Sequence, residues 1–89
     1  MTLAQVLTRY SEEISPQKRG SVSEVARLNA IMRRPIAFRT LATLTSADLS
    51  SYREARLKEV APASVIRELN LISHAIDTAR KDWGVYLPE

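Results

Sequence analysis

The sequence predicts an all-α domain, and three observations carry that expectation. It holds only two glycines and four prolines in 89 residues. Its β-branched residues never alternate with polar ones over a strand's length. Finally, its apolar residues recur at helical spacing in four segments, each with a recognisable start or stop. Four such segments with short connections predict a compact four-helix bundle of two helical hairpins.

The first helix is expected from Leu3 to Ile14. Thr2 and Gln5 have the spacing of a capping box, in which the hydroxyl accepts an orphan backbone N–H. Leu3, Val6, Leu7, Tyr10 and Ile14 form its apolar stripe, with Glu12 and Glu13 off it. Ser15-Pro16 ends it, because proline disfavours helical geometry in the residue before it.

A loop, Pro16 to Gly20, leads to the second helix, about Val22 to Met32. Ser21 is the expected cap, with Glu24 three residues on. Val25, Leu28, Ile31 and Met32 supply the apolar positions. Arg33 and Arg34 suit the negative end of the dipole, and Pro35 stops the helix. Ile36 to Leu44 reads as a short helical turn and an irregular connection, with Ile36, Phe38, Leu41 and Leu44 needing burial.

Thr45 and Asp48 cap a third helix over about Ser46 to Lys58, with Leu49 and Tyr52 facing inward. A turn over Lys58 to Ala61 precedes Pro62, at a first helical position where its missing N–H costs nothing. The fourth helix has the clearest period: Val65, Leu69, Ile72, Ile76, Ala79 and Trp83 fall on one side. Gly84 is its candidate C-terminal cap.

Composition narrows the function. There is no cysteine, which excludes disulfides and Cys-ligated metal sites, and a single His argues against a His-rich one. No cofactor and no metal are expected. No apolar run approaches the roughly 20 residues of a membrane span. The N-terminus lacks a charged-then-apolar leader pattern, so no membrane partner and a cytoplasmic location are the expectations. Enzyme constellations are missing too. Glu12 and Glu13 are adjacent and diverge, Asp48 is a capping partner, and there is no Gly-rich phosphate loop. No catalytic residue is assigned.

The net charge of +3 is unevenly placed. Between Pro16 and Arg39, Lys18, Arg19, Arg27, Arg33, Arg34 and Arg39 face a single carboxylate, Glu24. From Thr45 onward the two signs nearly balance. Such asymmetry suits a polyanion-binding face, although small helical domains often carry extra arginines. Lys18 and Arg19 precede the free N–H groups of the helix that Ser21 begins, an arrangement that attracts phosphate but also describes an ordinary solvated turn. On the fourth helix, Ser64, Arg67, Asn70 and His74 form a polar row. It suits a DNA groove, where Arg bonds guanine and Asn adenine, or equally plain solvent. Arg67 also has the option of an ion pair with a neighbouring helix.

The order of these motifs resembles a known family. Thr45, Asp48-Leu49, Tyr52-Arg53 and Arg56 are followed by Ser64-Val65-Ile66-Arg67-Glu68-Leu69, then Ile72-Ser73, Ile76, Ala79 and Trp83-Gly84. Lys18-Arg19-Gly20, Glu24 and Arg27-Leu28 lie upstream. The series resembles the core-binding domain of tyrosine recombinases, the phage-integrase family, over nearly the whole chain.

The resemblance implies a SAM-like helical fold that clamps one side of double-stranded DNA at the core recombination site. It implies a catalytic domain in cis, with an Arg–His–Arg set and a tyrosine nucleophile, in a parent enzyme that integrates or recombines DNA as a tetramer. That set has no counterpart here, since no His-x-x-Arg occurs and Tyr86 falls in the expected linker. Residues 1–84 are then the DNA-binding domain and 85–89 the start of a linker to the catalytic domain, which this chain lacks. Lys18, Arg19, Ser64 and Arg67 are the DNA-facing positions by resemblance, to which the charge and spacing arguments add Ser21, Arg27 and Asn70. Ile66 departs from the family's frequent asparagine, and Ala61 offers no side-chain cap. Arg67 is alternatively a brace acting through Glu68 or Asp48, and Arg53 and Arg56 suit either role. The competing expectation is a small helical protein-interaction module with a basic surface.

Overall fold

A computed structural model describes residues 1–84. It contains four α-helices: α1 Leu3–Glu13, α2 Ser21–Met32, α3 Ser46–Leu57 and α4 Pro62–Asp82. Short 3-10 turns at Ser15–Gln17 and Pro35–Phe38 make the first two connections. The molecule measures 35 × 31 × 18 Å, with a radius of gyration of 12.4 Å. The expected linker, 85–89, lies outside the described residues.

Helix α1 owes its start to a complete capping box: the Thr2 hydroxyl accepts the Gln5 N–H while the Gln5 side chain accepts the Thr2 N–H. Leu3, Val6, Leu7 and Tyr10 are then buried between α2 and α4. The chain start is also tied to the connection before α3. The Leu3 N–H donates to the Arg39 carbonyl at 2.9 Å, and the Leu41 N–H to the Met1 carbonyl at 2.8 Å. Helix α3 has the second full capping box, between Thr45 and Asp48, and packs on α4 and on the 3-10 turn before it. Leu28, Ile31, Ile36, Leu41, Tyr52 and Ile72 extend the core from α1 across the other elements.

Three expectations are corrected. Ser21 is not the cap of α2: Gly20 is, with φ at +70°, and its carbonyl accepts the Glu24 N–H at 3.1 Å. The chain must turn sharply out of the preceding 3-10 turn, and only glycine takes that left-handed geometry freely. Phe38 is not buried; it is 73% exposed, because the turn that buries Ile36 and Ala37 points the next side chain outward. The buried arc of α4 is displaced from the predicted stripe. Val65, Ile72 and Ala79 are buried as expected, but so are Glu68, Leu71 and Ala75, while Leu69, Ile76 and Trp83 are only partly covered. The displacement follows from α3, which packs on the Glu68 side and supplies that carboxylate with partners.

Candidate nucleic-acid interface

The first group of candidate residues surrounds the entry to α2. Lys18 folds back on α1, where its Nζ donates to the Tyr10 Oη at 2.6 Å and pairs with the Glu24 carboxylate at 3.2 Å. The ammonium also stands 4.9 Å from the centre of the Tyr10 ring. Burial pushes the Lys18 pKa down, but the bonds to Tyr10 and Glu24 outweigh it and leave the pKa raised. Lys18 is therefore a fixed cation, largely compensated by Glu24. Arg19 is exposed and makes no ion pair with another described residue. Ser21 is half-buried at the first position of α2, and Arg27, half-buried two turns further on, is likewise unpaired among the described residues.

The second group lies on α4, which packs against α2. Arg67, Asn70 and His74 are exposed on the face away from the core, and Ser64 sits half-buried at its edge. The helix begins without a side-chain cap, as Ala61 implies.

Glu68, next to Arg67, points the other way. Its carboxylate accepts the Nε and Nη2 of Arg56 at 2.9 Å each, and the Tyr52 hydroxyl. Burial pushes the Glu68 carboxyl up, yet these bonds prevail and its pKa is lowered. Burial and the same carboxylate raise the Tyr52 phenol, and Glu68 raises the Arg56 guanidinium. The brace between α3 and α4 is thus Arg56, not Arg67. Arg53 stays at the surface, 3.2 Å from Glu54.

Ion pairing redistributes the basic character. Within the basic segment, Arg34 is bonded bidentately to Glu59, and Arg39 donates a single bond to Asp48. The Arg34 bond lowers the Glu59 pKa and the Arg39 bond lowers that of Asp48. Among the described residues, the cations without an ion pair are Arg19, Arg27, Arg33, Lys58, Arg67 and Lys81, while the carboxylates without one are Glu12 and Asp82. Sequence reasoning located the excess but not its pairs, because Arg34 and Glu59 are 25 residues apart and meet only in the fold. Arg33, exposed at the end of α2 and unpaired among the described residues, belongs to that basic segment but is not among the residues the sequence assigns to DNA.

One cleft of about 280 Å³ lies between the second 3-10 turn and α3, lined by Arg34, Ile36, Arg39, Asp48, Tyr52 and Arg56 among others. Each of its three arginines already has a carboxylate partner, so it offers an anion little free charge. Among the described residues, no three His, Cys, Asp or Glu side chains gather in a metal-holding group, and no helix is long and apolar enough to cross a membrane.

Comparison with known proteins gives the arrangement a context. The chain is 36% identical, over 94% of its length, to a shufflon-specific DNA recombinase of Escherichia coli. It is 35% identical over 91% of its length, and 36% over 82%, to two Haemophilus influenzae proteins named integrase/recombinase. It spans 24%, 27% and 20% of the lengths of these three relatives. No protein-family model matches the chain, and no solved structure matches it. The chain is therefore similar, over most of its own length, to one part of proteins named for DNA recombination.

Proposed function

We propose that this chain is the DNA-binding, core-binding domain of a tyrosine recombinase of the phage-integrase type. Its task is to clamp one side of the duplex at the core recombination site, while a catalytic domain in cis cleaves and rejoins strands from the other side. The chain itself carries no catalysis in this reading. The parent protomers assemble as a tetramer on cytoplasmic DNA.

The observation that carries the proposal is the set of exposed cations left after ion pairing. Arg19 and Arg33 flank α2 and Arg67 lies on the adjoining α4, with no carboxylate neutralising any of them among the described residues. Unpaired guanidinium groups on two packed helices suit a phosphate backbone, which supplies most of the affinity of such contacts. The similarity to proteins named as recombinases supports the same reading and does not favour the interaction-module alternative.

In this role Arg19 and Arg33 hold phosphates, Arg27 adds charge along α2, and Arg67 and Asn70 present hydrogen-bonding groups from α4. Lys18 positions the turn through Tyr10 and Glu24, and Ser21 and Ser64 line the edges of the contact. Fluorescence anisotropy of a labelled duplex, titrated with the chain at low salt, tests the proposal. Saturable binding is the expected result, and no binding at low salt contradicts it.

A further inference from the structure

The surface of α4 between Ala61 and Ile76 is free of negative charge. Its exposed side chains beyond Pro62 are Ala63, Ile66, Arg67, Asn70, Ser73 and His74. The one carboxylate of this stretch, Glu68, is turned into the molecule and bonded to Arg56 and Tyr52. Ile66 lies on one flank of this face, one turn before Asn70, and is 58% exposed. It is absent from the hydrophobic core, which takes Val65 and Ile72 from the opposite side of the helix.

A single exposed apolar side chain is ordinary. The setting of Ile66 is not. It shares the exposed face with the Asn70 carboxamide one turn on and, beyond that, the Arg67 guanidinium, the two groups that pair bidentately with adenine and guanine edges. It is also β-branched, so its methyl groups are held in few rotamers and lose little freedom on contact. A partner that accepts Arg, Asn and a branched aliphatic group on one carboxylate-free helix face must offer hydrogen-bond acceptors and an apolar spot side by side. The major groove does so wherever thymine places its 5-methyl group beside a purine edge.

We propose that Ile66 reads a thymine 5-methyl group in the major groove, beside the contact of Asn70. The inference rests on the DNA-binding reading above and gives it a specificity determinant.

The test begins by recovering, over repeated rounds at low salt, the duplexes that the 89-residue chain retains from a random pool. The recovered duplex is then made with thymidine and with deoxyuridine at each thymine in turn, which removes the 5-methyl group and nothing else. For the wild-type chain, one such replacement is expected to weaken binding roughly fourfold, the effect of exposing one buried methyl group. Ile66→Ala is expected to bind both duplexes alike, and Ile66→Val to keep part of the difference. Alanine favours helix more than isoleucine does, so the variant keeps its fold, which circular dichroism checks. Equal binding of the thymine and uracil duplexes by the wild-type chain overturns the proposal. So does an unchanged thymine preference in Ile66→Ala, which leaves the side chain to another contact, such as a protein partner. If the wild-type chain retains no duplex at all, the DNA-binding reading fails and this inference fails with it.

Discussion

Arg56 on α3 grips both oxygens of the Glu68 carboxylate on α4, with its Nε and Nη2 each 2.9 Å away. The pair is almost wholly removed from solvent, and the Tyr52 hydroxyl donates to the same carboxylate. Bidentate geometry and the third donor offset the cost of desolvating two charges. Removing Glu68 leaves Arg56 buried with only the longer contact to Glu59. Glu68→Ala should therefore destabilise the fold by about 3 kcal/mol, the lower end for a broken buried pair, because Arg56 keeps Glu59 within 3.6 Å. Urea unfolding at neutral pH measures this; a loss of only a few tenths of a kcal/mol would refute the brace.

The same carboxylate sets an acid dependence. Its folded-state pKa is lowered, so the unfolded chain binds the proton more readily. The stabilisation it gives is present above the unfolded value, near 4.3, and is lost as pH falls through the folded one. Asp48 and Glu59 are shifted in the same direction, by Arg39 and Arg34 respectively, and add to the effect. The unfolding midpoint should drop below about pH 4. In Glu68→Gln the drop should be shallower, from a lower starting stability. An acid limb of unchanged steepness would assign the transition to other groups.

Lys18 and Arg19 are neighbours in sequence with different surroundings. Lys18 is occupied by Tyr10 and Glu24, whereas Arg19 is exposed and unpaired among the described residues. Arg19→Ala should weaken binding to all duplexes and reduce the salt slope by about one. Lys18→Met should change the slope less while lowering thermal stability. Equal effects of the two substitutions on the slope would show that Lys18 leaves Glu24 for phosphate.

Gly20 caps α2 with φ at +70°, and a Cβ built there meets nothing within 4 Å. The penalty for Gly20→Ala is then backbone strain alone, about 1 kcal/mol. Gly20→Asn should cost less, since asparagine tolerates the left-handed region. Equal urea midpoints for Gly20→Ala and the wild-type chain would contradict the left-handed cap.

These residues also show how far the fold was legible. The capping boxes of α1 and α3 depend on pairs three residues apart, and both form as spacing implies. The cap of α2 was not legible, because Ser21 and Glu24 have the right spacing but the handedness of Gly20 decides the start. The spacing of Val65, Leu69, Ile72, Ile76 and Ala79 marks one stripe on α4; α3 covers a second flank and draws Glu68 inside. For the interface, the local excess of cations is a property of composition and was visible. Which of them stay unpaired depends on partners such as Glu59 and Asp48, delivered by tertiary packing.

The salt dependence of binding tests whether unpaired arginines beside α2 and on α4 hold duplex phosphates. The logarithm of the association constant for a labelled duplex is measured between about 50 and 200 mM salt, for the wild-type chain and for Arg19→Ala/Arg67→Ala. A steep negative slope is expected, about −3 for three or four neutralised phosphates, becoming shallower by about two in the double variant. A wild-type slope near zero, or a double variant with the wild-type slope and affinity, would contradict it.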